Sequence, residues 1–93
     1  MDKHELQTTF KNKIDDAFKK IQELENKRDE LSGKANEEID DKIESLQSKK
    51  NHLDQNYEEL QNATEDKLNE VKTQFEKSLV NFEQGFDEIK RAF

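Results

Sequence analysis

The sequence predicts an all-α fold, an antiparallel coiled-coil helical hairpin with a short first helix and a long second helix. Apolar residues recur along most of the chain in alternating steps of four and three, which is the spacing of one helix face. The 93 residues include no proline and only two glycines, so little in the chain interrupts a helix. Charged residues make up 42% and hydrophobic residues 29%, so the apolar stripes supply the core. We therefore expect a single helical domain over residues 1–93.

The first helix is predicted over about residues 3–31. Glycine just past the last apolar residue is a common helix terminator, so Gly33 indicates a turn over 32–35. Asn36 is the predicted N-cap of the second helix, because acidic residues that suit a helix N-terminus follow it directly. The seam of helix 1 consists of Phe10, Ile14, Ala17, Ile21, Leu24, Arg28 and Leu31.

The second helix continues the same spacing and carries one charged seam residue, Lys50. A turn near 33–34 places Lys50 opposite roughly position 17, where it could reach Asp15 or Asp16. Polar residues at seam positions fix the register of a coiled coil at some cost in stability. Exposure of both charged residues at the seam edge is the simpler expectation. The alternative hypothesis is that Lys50 pairs with one of these two carboxylates and Arg28 pairs with Asp40. The helix 2 seam consists of Ile39, Ile43, Leu46, Lys50, Leu53, Tyr57 and Leu60.

After Leu60 the seam gains four residues before it resumes at Leu68. Such an insertion is a stutter, which unwinds a coiled coil locally without ending the helix. Since no glycine or proline lies near 62–66, the prediction is one helix over about 36–92. The alternative is a second turn with Thr64 as N-cap, which gives a three-helix bundle.

Residues 64–93 carry a wide apolar face that helix 1 is too short to cover in a simple hairpin, since it reaches only positions 36–63. Burying one large apolar side chain is worth roughly 1.5–3 kcal/mol, so an uncovered face of this size exceeds the stability of a small domain. It requires a second chain, a membrane surface or a third helix that folds back. We expect a homodimer formed through this face. The predicted interface residues are Leu68, Val71, Phe75, Leu79, Phe82, Phe86, Ile89 and Phe93.

Charge and motif content exclude most chemical functions. The net charge is −7, and residues 36–62 alone carry eight carboxylates and three lysines, which disfavours binding to nucleic acid. The chain lacks cysteine, and its two histidines belong to no metal-ligand motif. We expect no catalytic residue, no cofactor and no metal site, and hence no enzyme. Neither a signal peptide nor a membrane span is present, which predicts a cytoplasmic protein.

The C-terminal part of the sequence reads Ala63-Thr64-Glu65-Asp66-Lys67-Leu68-Asn69-Glu70-Val71-Lys72, then Phe75-Glu76-Lys77-Ser78-Leu79, Phe82 and Phe86. This stretch resembles the C-terminal half of small bacterial coiled-coil proteins often labelled stress-response proteins. Leu68 and Leu79 stand where that family usually has tryptophan, and Glu65 stands where it has glycine, which favours an uninterrupted helix. The resemblance implies a non-enzymatic, cytoplasmic helical hairpin with a stress-linked role.

The predicted function is therefore a non-enzymatic coiled-coil interaction or scaffold protein that self-associates through the C-terminal face. Two alternatives remain. One is a peripheral membrane protein in which residues 64–93 lie on the lipid surface as an amphipathic helix. The other is a monomeric three-helix adaptor that binds a heterologous protein partner.

Overall fold

A computed structural model describes residues 2–31 and 33–92, apart from the side chains of Lys34 and Ala35. This part of the chain is all-helical, as predicted, and contains no strand. Helix α1 spans Lys3–Asp29, α2 spans Lys34–Asn62 and α3 spans Leu68–Ala92, with a single 3₁₀ turn at Glu65–Lys67 before α3. The three helices form a bundle of 51 × 18 × 16 Å.

The turn between α1 and α2 depends on Gly33, which has φ 70° and ψ −144°. Side chains other than hydrogen rarely allow this backbone region, so a turn at Gly33 is confirmed. Gly33 is not the terminator of the first helix, because α1 ends at Asp29 with Glu30 as its C-cap. The predicted N-cap is wrong, because α2 begins at Lys34 with Gly33 as its N-cap. The side chain of Asn36 instead donates to the carbonyl oxygens of Arg28 at 2.9 Å and Leu31 at 3.3 Å. Asn36 therefore satisfies carbonyls at the end of α1.

The prediction of one helix over 36–92 is wrong, because the chain reverses direction at Ala63 and Thr64. Both residues have extended backbones, with ψ of 142° and 166°. The three-helix alternative describes the observed architecture, with Thr64 as N-cap of the 3₁₀ turn. The reversal lets α3 fold back along α2, and tertiary burial of the α3 face offsets the helical hydrogen bonds lost at the break.

All three helices contribute to one core. Helices α1 and α2 are antiparallel, as are α2 and α3, so α1 and α3 run in the same direction. The sequence predicts that the apolar face of α2 packs against α1 alone. In the structure it packs against both α1 and α3. The fully buried large side chains at the centre are Phe10, Leu24, Leu46, Leu53, Leu60, Leu68 and Phe82.

The two charged seam residues behave differently. Arg28 donates to Asp40 across the α1–α2 pair, which confirms the hypothesis of that contact. This hydrogen bond is the main cause that raises the pKa of Arg28. The hypothesis for the partners of Lys50 is wrong, because its ammonium binds Asp54 at 2.9 Å, one turn along the same helix. A partner on the same helix face is reached without strain in the long side chain.

Replacing Gly33 with alanine tests the first turn. Nothing lies within 4 Å of a Cβ added there, so only the backbone conformation opposes the change. We expect Gly33→Ala to lower the free energy of unfolding by about 1–3 kcal/mol, measured by urea denaturation. The exposed helical substitution Ser48→Ala is the control and should change it by less than about 0.5 kcal/mol. Equal effects of the two substitutions would contradict a strained turn at Gly33.

Candidate interaction surfaces

The predicted dimer interface lies inside the bundle of a single chain. Leu79 is partly buried, and Phe93 lies outside the described residues. Because α3 folds back, α1 and α2 of the same chain cover the face for which the sequence predicts a second chain. The buried members of the predicted interface are Leu68, Val71, Phe75, Phe82, Phe86 and Ile89.

Helix α1 covers this face mainly through aromatic contacts. The rings of Phe10 and Phe75 stack with centroids 3.7 Å apart and an interplanar angle of 10°. One end of the face is covered by two lysines, since the ammonium groups of Lys20 and Lys90 lie 5.4 and 5.9 Å from the ring centroid of Phe86. Such cation–π contacts shield an aromatic ring while each ammonium keeps access to water. Helix α1 is therefore a direct partner of α3.

Helix α2 packs against two small residues of α3, Ser78 and Gly85. Asn56, the one buried polar residue among those described, donates from Nδ2 to the Ser78 hydroxyl oxygen at 2.8 Å. Seven residues further along α3, Gly85 leaves space for two side chains of α2. A Cβ at Gly85 would lie 3.1 Å from Leu46 Cδ1 and 3.0 Å from Lys49 Nζ. Ser78 and Gly85 thus set how closely α2 and α3 approach each other and in what register.

The pairing of Asn56 with Ser78 was not predicted from the sequence, which did not single out Asn56. A signal was available, because Lys49 and Asn56 lie seven residues apart, as do Ser78 and Gly85. Matching rows with this spacing on two helices indicate a second contact face on α2.

Lys3, near the N-terminus, holds the hinge between α2 and α3, which we define as Ala63 and Thr64. The Lys3 ammonium donates to the carbonyl oxygens of Gln61 and Ala63, each at 2.9 Å. It therefore satisfies carbonyls at the C-terminal end of α2, where the helix dipole favours a cation. The last turn of α2 carries no basic residue of its own.

The outer groove between α1 and α2 carries an exposed aromatic residue. Phe18 is 50% exposed, and the Lys50 ammonium lies 5.6 Å from its ring centroid. A shallow cavity of about 280 Å³ opens beside the ring. Its lining combines the apolar Phe18 and Ile21 with polar residues of both helices, Gln22, Glu25, Gln47 and Asn51. We call this region the Phe18 groove.

Val80 on α3 is the other large apolar side chain exposed among the described residues, at 51%. It lies on the outer surface of α3, with Thr73, Glu76, Lys77 and Asn81 around it. An isolated exposed valine is ordinary on a protein surface. It therefore serves as a comparison for Phe18 rather than as a second groove.

The described part of the chain holds no group of three or more histidine, aspartate or glutamate side chains placed to bind a metal ion. Over the same residues, no helix combines the length and apolar character that crossing a bilayer requires.

The comparisons with known proteins identify no relative: no family model, curated protein or solved structure matches the chain. The similarity to bacterial stress-linked coiled-coil proteins therefore stays a prediction, as do the cytoplasmic location and the stress-linked role.

Truncating Phe75 tests whether the α3 face forms part of the core. We expect Phe75→Ala to lower the free energy of unfolding by about 3–5 kcal/mol, because it removes a buried ring stacked on Phe10. Val80→Ala, in the same helix but exposed, is the matched control and should cost less than about 1 kcal/mol. Urea denaturation followed by circular dichroism measures both. Similar costs for the two variants would contradict the observed burial.

Proposed function

We propose that the protein is a non-catalytic helical adaptor, which folds as a bundle from one chain and binds an amphipathic helix of another protein in the Phe18 groove. The observation that carries this proposal is the exposure of Phe18, one of the two large apolar side chains that the described part of the bundle leaves exposed. Aromatic residues are enriched where proteins bind one another, because a ring supplies a large contact area at low entropic cost.

The shape of the groove supports a helical partner. Two antiparallel helices present a groove between their side-chain ridges, and a third helix packs into such a groove. On the other side of the α1–α2 pair, α3 does this within the same chain, so the pair has the geometry to accept a helix. An apolar side chain of the partner would lie against Phe18 and Ile21, and the amides of Gln22, Gln47 and Asn51 would form a polar rim.

The charge distribution supports a basic partner. Residues 36–62, which make up nearly all of α2, carry eight carboxylates and three lysines. A field of this sign attracts lysine- and arginine-rich helices and repels acidic ones. The proposed partner is therefore a basic amphipathic helix with one apolar face.

Site-specific photo-crosslinking tests this function. A photoreactive phenylalanine analogue replaces Phe18 in one variant and Val80 in a matched variant, and both are irradiated in cells of the native host. We expect a specific set of proteins to crosslink at position 18, and the yield in lysate to fall as salt screens the attraction. Mass spectrometry should locate the crosslink in a basic amphipathic helix of the partner.

Removing the Phe18 ring provides the control for the crosslinking experiment. Phe18→Gln should abolish binding of the crosslinked partner while lowering the free energy of unfolding by less than about 1 kcal/mol, since the ring is half exposed. Val80→Gln should leave binding unchanged. Crosslinks that are the same at positions 18 and 80, or a complete lack of crosslinks at position 18, would contradict the proposal.

A further inference from the structure

We propose that α3 exchanges between two copies of this chain. In the exchanged dimer the hinge at Ala63 and Thr64 straightens, α2 and α3 become one helix, and the α3 of each copy packs on α1 and α2 of the other copy. The partner on the α3 face is then a second copy of the chain, as the sequence predicted, and it is reached by opening the bundle. Domain swapping of this kind needs only a short hinge with two accessible conformations.

The hinge residues are compatible with a straight helix. Ala63 and Thr64 both have negative φ in the closed bundle, and the segment 61–67 contains neither glycine nor proline. Helical conformation here would add backbone hydrogen bonds that the break omits. The other turn differs, because it contains Gly33, and glycine in a helix interior is destabilising relative to alanine. Exchange is therefore expected at the second turn and not at the first.

The apolar faces of α2 and α3 are in phase across the hinge. At about 100° per residue, the mean direction of the α2 seam and that of the α3 face differ by roughly 10° in a continuous helix. Seven residues fall slightly short of two helical turns, so a heptad seam drifts gradually around the helix axis. The four-residue insertion after Leu60 reverses this drift and thereby produces the match. A straightened α2–α3 helix would thus present one continuous apolar stripe, with no need to rotate one half relative to the other.

Exchange preserves the contacts that bury α3. In the closed bundle α3 is antiparallel to α2, as the Asn56–Ser78 hydrogen bond and the Lys49–Gly85 contact show. A twofold axis at the hinge places each of these contacts between two chains with the same local geometry. The Phe10–Phe75 stacking likewise becomes a contact between chains. The closed and exchanged forms then differ only in the hinge conformation and in the Lys3 hydrogen bonds to the end of α2.

Lys3 opposes the exchange. Its hydrogen bonds to Gln61 and Ala63 use carbonyl oxygens at the end of α2. In a continuous helix these carbonyls would instead accept from backbone N–H groups four residues later. Loss of the Lys3 ammonium therefore removes an interaction specific to the closed bundle.

Two substitutions at Thr64 test the hinge in opposite directions. Proline fits the closed form, because Thr64 has φ −80° and Ala63 has the extended conformation that a residue before proline prefers. Proline also disrupts the interior of a continuous helix, so Thr64→Pro should lower the dimerisation constant by at least about 100-fold. Thr64→Ala favours the helix and should raise the dimer fraction. Lys3→Gln should raise it as well.

Light scattering after refolding at high protein concentration measures these effects. For the wild type we expect a species of twice the 11.1 kDa chain mass, whose long dimension in X-ray scattering clearly exceeds the 51 Å of the closed bundle. Thr64→Pro should remain at the mass of one chain under the same conditions. A wild type and a Thr64→Ala variant that both stay monomeric would overturn the proposal. A Thr64→Pro variant that dimerises as well as the wild type would also overturn it.

Cysteine pairing identifies which contacts cross between chains, because the natural sequence has no cysteine. Asn56→Cys and Ser78→Cys are made in separate chains, mixed, refolded together and oxidised. Exchange predicts a disulfide-linked heterodimer from the mixture and little dimer from either variant alone. A double variant with both cysteines in one chain calibrates whether the disulfide forms in the closed bundle. If the disulfide does form in the closed bundle, a dimer of the two single variants without the 56–78 disulfide between chains would overturn the proposal. In such a dimer each chain keeps its own α3 packed on its own α1 and α2.

Discussion

The apolar face of α3 must be kept from water, and this requirement determines the rest of the structure. In a straight hairpin α1 would reach only the α2 half of a long second helix, because α1 and α2 have 27 and 29 residues. Because the chain reverses at Ala63 and Thr64, the half that α1 could not reach, α3, lies beside both α1 and α2. Burial of Phe75, Phe82 and the other apolar residues of this face far outweighs the few hydrogen bonds lost at the reversal.

Local sequence signals were sufficient where the backbone itself dictates the structure. Gly33 sets the turn between α1 and α2 because its conformation is one that other residues avoid, and apolar spacing predicts the helical regions on either side of it. The contact between Arg28 and Asp40 followed from the register that this turn imposes. The all-α fold and the α1–α2 turn were thus predictable without knowledge of tertiary contacts, and so was the set of apolar residues that must be buried.

The reversal at Ala63 was not predictable in this way, since its residues are compatible with both a turn and a helix. The free energy that selects the turn comes from contacts distant in sequence, such as the stacking of Phe10 on Phe75. The same limit applies to what covers the α3 face, because periodicity shows that a face is buried but not which helix buries it. The exposure of Phe18 was also inaccessible, since its neighbours are defined only once α1 and α2 are paired.

Nuclear Overhauser effects between the Phe10 and Phe75 rings test whether one chain covers its own α3 face. Isotope-labelled and unlabelled chains are mixed at a low concentration at which light scattering gives the mass of one chain, and filtered spectra separate contacts within a chain from contacts between chains. We expect a strong Phe10–Phe75 effect within the labelled chain and none between chains. A monomeric sample without this effect would contradict coverage of the α3 face by its own chain.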